Sequence, residues 1–175
     1  ASTYPHKNHL MLIEAFVSLS IKHPEVRLVL TGAPGRADKL VKTAIEQSGV
    51  AHRVSLMGRV SSKEFEEIFD SSSILAFPST YEGFGIPVLE AMTKGIPIVV
   101  AKGTPAADLA GNSAIALNFD DPESWALTFA KLLNDDELRQ ELITEGYKQA
   151  SKYTIEKSSQ QLLETWKRLI ATRHK

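Results

Sequence analysis

The 175 residues carry a formal net charge of -1, and 43% hydrophobic against 23% charged side chains predicts one ordinary folded domain without the concentrated basic excess of a nucleic-acid binder. The absence of cysteine excludes disulfides, thiolate metal sites and cysteine nucleophiles. No apolar run approaches the roughly 20 residues of a membrane span, and "ASTYPHKNH" lacks the charged and apolar regions of a signal peptide, so any membrane contact is expected to be peripheral.

In chain order, "ASTYPHKN" reads as the tail of a strand, which would make the chain a piece of something longer; a short edge strand is the alternative. A helix follows with Leu10, Ile13, Val17 and Ile21 expected on one apolar face, closed by Pro24. "VRLVLTG" then reads as a buried strand, and a second helix over about 37 to 48 ends at Gly49. After the strand "RVSLMG", Ser61 and Glu64 stand in capping-box spacing and open a third helix. The strand "SILAFPS" leads to a fourth helix that begins near Gly85 and stops at Gly95, a left-handed C-cap. "PIVVA" and "SAIALN" complete the strands. Asp121 with Pro122, and Asn134 or Asp135, are expected to start two further helices, and a last one spans about 155 to 171.

Continuously apolar strands alternating with helices predict an α/β domain, a doubly wound, Rossmann-like parallel sheet with a helical C-terminal third. In such a sheet ligands bind at the carboxyl ends of strands. That rule selects "PHKN", "TGAPGR", "MGRV", "PSTYEGFG" and "KGTPAADLAGN", all rich in Gly, Pro and small polar residues.

In "PSTYEGFGIPVLE", Gly83 and Gly85 flank Phe84 ahead of a helix whose free N–H groups and positive dipole end suit a phosphate. Glu82 is expected to face an uncharged part of the ligand, because a carboxylate beside phosphate is repulsive. Glu90, about a turn into the helix, could accept two hydrogen bonds from adjacent ribose hydroxyls. The structural reading is that dipole and punctuation alone explain a glutamate and glycines at a helix start.

"EGFGIPVLEAMTKGIPIVVA" resembles the Glu, seven residues, Glu motif of the retaining GT-B glycosyltransferases, in the large group of sucrose and mannosyl transferases. "PHKNHLMLIEAF", "RLVLTGAPG", "RVSLMGRVSSKEFEEIF", "LAFPSTYEGFG", "DPESWALTFAKLLND" and "LRQELITEGYKQASKYT" also fall in the family's order, so the resemblance covers nearly the whole chain. It implies that residues 1–175 are the C-terminal, nucleotide-sugar-binding half, with an acceptor-binding half preceding Ala1. It further implies transfer of a hexose of mannose or glucose type, from a donor of GDP or UDP type, to a glycan or lipid-linked acceptor. By position, Glu82 would contact the donor sugar, Gly83, Phe84 and Gly85 would present backbone to sugar and phosphate, and Glu90 would hold the ribose. Lys7 would neutralise the leaving diphosphate, a role that can replace a metal. Gly32 and the loop Met57, Gly58, Arg59 and Val60 would complete the donor site, the loop lining the base. The location implied is cytoplasmic, at the inner face of the membrane for a lipid-linked acceptor. Many members carry an Arg five residues or one residue before the lysine; here Ser2 and His6 stand there, so His6, Arg59, Lys102 or the other half must supply the second charge.

The other candidates are weaker in the residues themselves. His6 and His9 have no third ligand at metal spacing, so neither metal nor cofactor is expected. Ser79, Thr80 and Tyr81 could bind hydroxyls or phosphate, but such residues are common in turns. Arg36 follows "GAPG" without the GKT or GKS ending of a Walker loop. Asp108, Asn112 and the loop containing Thr104 could touch the donor, but the residues read more simply as solvent-facing loop. The stripes Trp125, Phe129, Leu132, Leu133 and Leu162, Trp166, Leu169 read as packing. An oxidoreductase dinucleotide module would need GxGxxG after the first strand, which "STYPHKN" does not supply. A non-catalytic nucleotide-binding or regulatory domain on the same fold is the alternative.

Overall fold

The apolar runs form five short strands in a computed structural model that describes residues 2–172. They are β1 (Leu28–Thr31), β2 (Val54–Gly58), β3 (Leu75–Phe77), β4 (Ile98–Ala101) and β5 (Ala114–Leu117). Every pairing is parallel, β1 with β2 in one ladder and β3, β4, β5 in another. Parallel neighbours need crossovers. These are α1 (His9–Lys22), α2 (Asp38–Gln47), α3 (Ser62–Asp70), α4 (Ile86–Lys94) and α5 (Pro105–Ala110), followed by α6 (Pro122–Asn134), α7 (Asp136–Ala150) and α8 (Ile155–Thr172).

β4 shows why its sequence is apolar without interruption, since all four residues are buried. Side chains alternate across a strand. Val99 joins the core built with Val41, Trp125 and Leu132, whereas Ile98 and Val100 join the core built with Val88 and Met92. Helices α1, α2 and α6 thus cover one face, and α4, α5 and α7 the other: the expected doubly wound layering.

Local capping chemistry sets the helix ends. Ser61 and Glu64 form the full capping box of α3, with the Ser61 N–H donating to Glu64 at 2.7 Å. The carboxylates of Asp121 and Asp135 accept from the backbone N–H groups of Ser124 and Leu138. Gly95 ends α4 at φ 66°, where a Cβ would lie 2.3 Å from the Tyr147 hydroxyl.

Four expectations need correction. Residues 2–4 belong to no strand, and Pro5–Lys7 form a 3-10 turn. The backbone of Thr3 is taken up instead by the loop after β1: its N–H donates to Ala33 and its carbonyl accepts from Ala37. The buried side of α1 is Met11, Leu12, Ala15, Phe16 and Leu19 together with Ile13, while Leu10 and Ile21 are exposed. This helix is apolar nearly all round, so spacing alone left its face ambiguous, and packing between the sheet and α6 decided it. The segment "KGTPAADLAGN" is not all loop, because α5 lies within it. Trp125, Phe129 and Leu132 are core, but Leu162, Trp166 and Leu169 on α8 are 50 to 60% exposed.

Candidate functional site

The site is built around residues 3 to 8, which lie across the carboxyl ends of β1 and β3. Thr3, 1% exposed, accepts at Oγ1 from the Gly35 N–H and donates to Asp38. Gly35 is required at this approach, since a Cβ would stand 2.7 Å from the Thr3 carbonyl oxygen. Three residues on, the His6 carbonyl accepts from the Thr80 N–H at 2.8 Å and from the Ser79 and Thr80 hydroxyls. The two loops are therefore fastened to one short turn.

That fastening brings together side chains 75 residues apart. The Lys7 ammonium donates to the Glu82 carboxylate at 2.5 Å, with the two side chains only 17% and 15% exposed. Each is the other's counter-charge. Sequence spacing could not reveal the pair, because it depends on β1 and β3 ending at the same rim. Asn8, the only non-glycine with positive φ among the described residues (56°), sets the turn into α1, and its amide donates to the Phe119 carbonyl. Asn8 went unnoticed in the sequence; an Asn directly before a helical run was the available signal.

Beyond Glu82, Gly83 has open space where a Cβ would stand, and Phe84 is 45% exposed with its ring edge-on to Tyr153. Gly85 has φ 98°, and a Cβ there would lie 3.1 Å from that of Ala106. Bare backbone is thus enforced at the start of α4. That helix has no side-chain cap, and Pro87 in its first turn supplies no N–H. The Val88 and Leu89 N–H groups donate to the Gly85 carbonyl, which leaves the Ile86 N–H without an acceptor among the described residues, and that donor with the dipole favours an anion.

Glu90 stands four residues past Ile86, about 6 Å along the axis. Its carboxylate has no hydrogen bond or ion pair among the described residues and is half-buried. Loss of solvent raises its pKa above the ordinary 4.5, with Lys94 pulling the other way. A partly dried carboxylate without a partner is costly unless something else meets it.

The other side of the rim is tied by backbone. The Gly32 N–H donates to the Gly58 carbonyl at 2.7 Å, and both residues have positive φ. Met57 is 48% exposed, Arg59 is exposed without an ion pair among the described residues, and Val60 is half-buried. Arg36 is also exposed. Ser79 is turned inward, bonding the His6 and Tyr81 carbonyls, and so is a fastener. Thr104 is 4% exposed and accepts from Ala107 at the start of α5, which corrects its reading as solvent-facing loop. Among the described residues no group of three or more His, Asp or Glu could hold a metal ion, and no helix is long and apolar enough to cross a membrane.

The glycosyl transferases group 1 model matches residues 1–149. The chain belongs to that family. Among curated relatives, the D-inositol 3-phosphate glycosyltransferase of Corynebacterium urealyticum is 28% identical over 167 residues, 91% of this chain and 39% of the relative. The O-antigen chain mannosyltransferase B of Escherichia coli is 26% identical over 166 residues, 94% of this chain and 44% of the relative. The chain thus spans less than half the length of these relatives.

Among solved structures, Anabaena HepE in complex with UDP and glucose superposes with a TM-score of 0.85 at 22% identity, covering 95% of this chain and 46% of that one. The C-terminal domain of the group 1 glycosyl transferase LpcC from Francisella tularensis gives 0.78 at 23% identity, covering 88% of this chain and 83% of that one. These likenesses show the fold, the Rossmann-like half of a GT-B enzyme.

Proposed function

We propose that the chain is the donor-binding half of a retaining hexosyltransferase that takes a nucleoside diphosphate sugar, of GDP or UDP type, as donor. The carrying observation is the rim itself. It sets a buried-side cation and carboxylate (Lys7, Glu82), an uncapped helix start behind obligatory glycine (Gly85) and an unpartnered, desolvated carboxylate (Glu90) in sequence around one loop–helix junction. A nucleoside diphosphate sugar has matching parts in that order: sugar hydroxyls, diphosphate and ribose. The binding of UDP with glucose, named for HepE, and the mannosyl transfer named for the E. coli relative support the same class.

In this reading Glu90 accepts from the two ribose hydroxyls, and the cost of its burial is offset only when they arrive. The diphosphate takes the Ile86 N–H at the positive end of the α4 dipole, with Phe84 and Gly85 supplying backbone. Lys7 turns from Glu82 to the diphosphate, where its charge stabilises the leaving oxygen as the glycosidic bond breaks. Glu82, released from the ion pair, holds the sugar hydroxyls. Gly32, Met57, Gly58, Arg59 and Val60 line the base. Attack on the face that the diphosphate leaves, with a diphosphate oxygen taking the acceptor proton, retains the anomeric configuration. The acceptor, a glycan or lipid-linked sugar, sits on the other half of the enzyme, in the cytoplasm or at the inner face of the membrane.

Calorimetric titration of the chain with UDP, GDP, ADP and NAD tests the reading. Saturable binding of one nucleoside diphosphate, weakened by Glu90→Ala, is the expected result. Equal or absent binding of all four defeats it.

A further inference from the structure

Three aromatic rings stand together at the carboxyl rim beside the Lys7–Glu82 pair. The His6 ring stacks on Tyr4, with centroids 5.8 Å apart and planes 12° from parallel, and meets Tyr81 edgewise at 6.1 Å and 87°. Stacked and edge-to-face contacts at such distances are the two favoured arrangements of aromatic pairs. The cluster joins two loops far apart in the chain, and its backbone is pinned. The His6 carbonyl accepts from the Thr80 N–H, and the Ser79 hydroxyl bonds the Tyr81 carbonyl at 3.1 Å. Yet the rings close no core: neither tyrosine joins either hydrophobic cluster, Tyr4 is 40% exposed and Tyr81 75%.

A single exposed aromatic is ordinary on a protein surface. A pinned, half-open cluster next to a paired cation and carboxylate offers more: an electron-rich apolar face beside hydrogen-bonding heads. A pyranose ring matches both, with electropositive C–H groups on one face and hydroxyls around its edge. Phe84, the other aromatic of this loop, packs on Tyr153 instead and does not extend the cluster. A nucleobase also stacks on aromatic rings. In the donor-site reading, however, the base lies against Gly32 and Met57 to Val60, on the loops after β1 and β2, whereas Tyr81 follows β3.

We infer that Tyr81, backed by His6 and Tyr4, is a stacking platform for the pyranose ring of the acceptor. The inference rests on the donor-site reading, in which the donor runs from Glu82 to Glu90 with its sugar first and its ribose last. An acceptor must bring a hydroxyl to the sugar carbon that the diphosphate leaves, so it lies at the Glu82 end. Tyr81 directly precedes Glu82, and His6 directly precedes Lys7, which places the ring cluster at that end. His6 braces the Tyr81 ring from one side, so less side-chain freedom is lost when a sugar stacks on it. The donor half thereby takes part in choosing the acceptor, favouring a six-membered sugar that can present an unbroken C–H face.

Saturation-transfer NMR on the chain tests this, with methyl α-mannopyranoside and methyl α-glucopyranoside as probes. The unaltered chain is compared with Tyr81→Phe, Tyr81→Ala and His6→Ala. Tyr81→Phe keeps the ring and loses only the hydroxyl. The expected result is saturation on one C–H face of at least one probe, with affinity kept within about twofold in Tyr81→Phe and lowered about fivefold or more in Tyr81→Ala. His6→Ala should fall between them. Because Tyr81 is exposed, its substitutions should move the thermal midpoint by no more than about 2 °C, which separates lost stacking from lost fold. No saturation of either probe, or equal affinity in Tyr81→Ala, would overturn the proposal. So would displacement of the probe by saturating UDP or GDP, since the rings would then serve the donor. Absent nucleotide binding in calorimetry with a Tyr81-dependent probe signal intact would defeat the donor-site reading alone, so the two fail separately.

Discussion

The helices α4 and α5 both begin at the carboxyl rim directly after a strand and a glycine-bearing loop, yet they finish their N-termini in opposite ways. At α5 the chain closes on itself: Thr104 is buried, its hydroxyl donating to the Ala101 carbonyl at 2.8 Å and accepting from the Ala107 N–H. At α4 the cap position is Gly85, which has no side chain to give, and the neighbouring Lys7–Glu82 pair and Glu90 carboxylate leave charged groups at the opening. A capped start has met its own demands. An uncapped start at a rim, kept bare by a contact that excludes Cβ, is where a ligand can meet them.

The contrast can be broken most severely at Gly85. Gly85→Ala forces a left-handed residue to carry a Cβ, costing about 1–2 kcal/mol, and sets that atom against Ala106 at 3.1 Å. A thermal midpoint lowered by several degrees, with nucleoside diphosphate binding lost in calorimetry, is expected. Next comes Glu90→Ala, which should weaken nucleotide binding about tenfold, ~1.4 kcal/mol, while leaving the fold intact. Nucleotide affinity that is unchanged by titration would remove Glu90 from the site. Thr104→Ala supplies the mirror experiment: about 1 kcal/mol of stability lost with the cap, seen in urea unfolding, and no change in nucleotide affinity.

The smallest effect sharpens the comparison through pH. Glu90 has a raised folded-state pKa, so the folded protein holds that proton to higher pH than the unfolded chain does. The charged form therefore costs stability at pH 7, and the cost disappears as pH falls through the raised pKa. Glu90→Gln should raise the thermal midpoint slightly at pH 7, with the difference vanishing below about pH 4. A midpoint difference that persists at low pH would show that charge burial is not its cause.

Legibility in the sequence followed the range of the interactions. Strands β1 to β5, the capping box of Ser61 and Glu64, the Asp121 and Asp135 caps and the C-cap Gly95 were readable because each is specified within a few residues. The glycines and glutamates from Glu82 to Glu90 were readable as a motif for the same reason. The buried side of α1 was not, since a helix apolar nearly all round has no unique face until α6 packs on it. The α8 stripe was misread for the converse reason: periodicity shows that a face is apolar, not that something covers it. Thr104 was misplaced because a hydroxyl that caps a buried helix and one that faces solvent look alike in a sequence.

The sequence by itself determined the alternation of strands and helices, the positions of their ends and the membership in a family, all products of local pattern and word order. Only the tertiary structure decided that Lys7 and Glu82 face each other, that Glu90 is half-buried with no partner among the described residues, and that a cleft lies between β1 and β3. These depend on which strand ends share a rim and on where water is excluded, and both are set by packing between residues far apart in the chain.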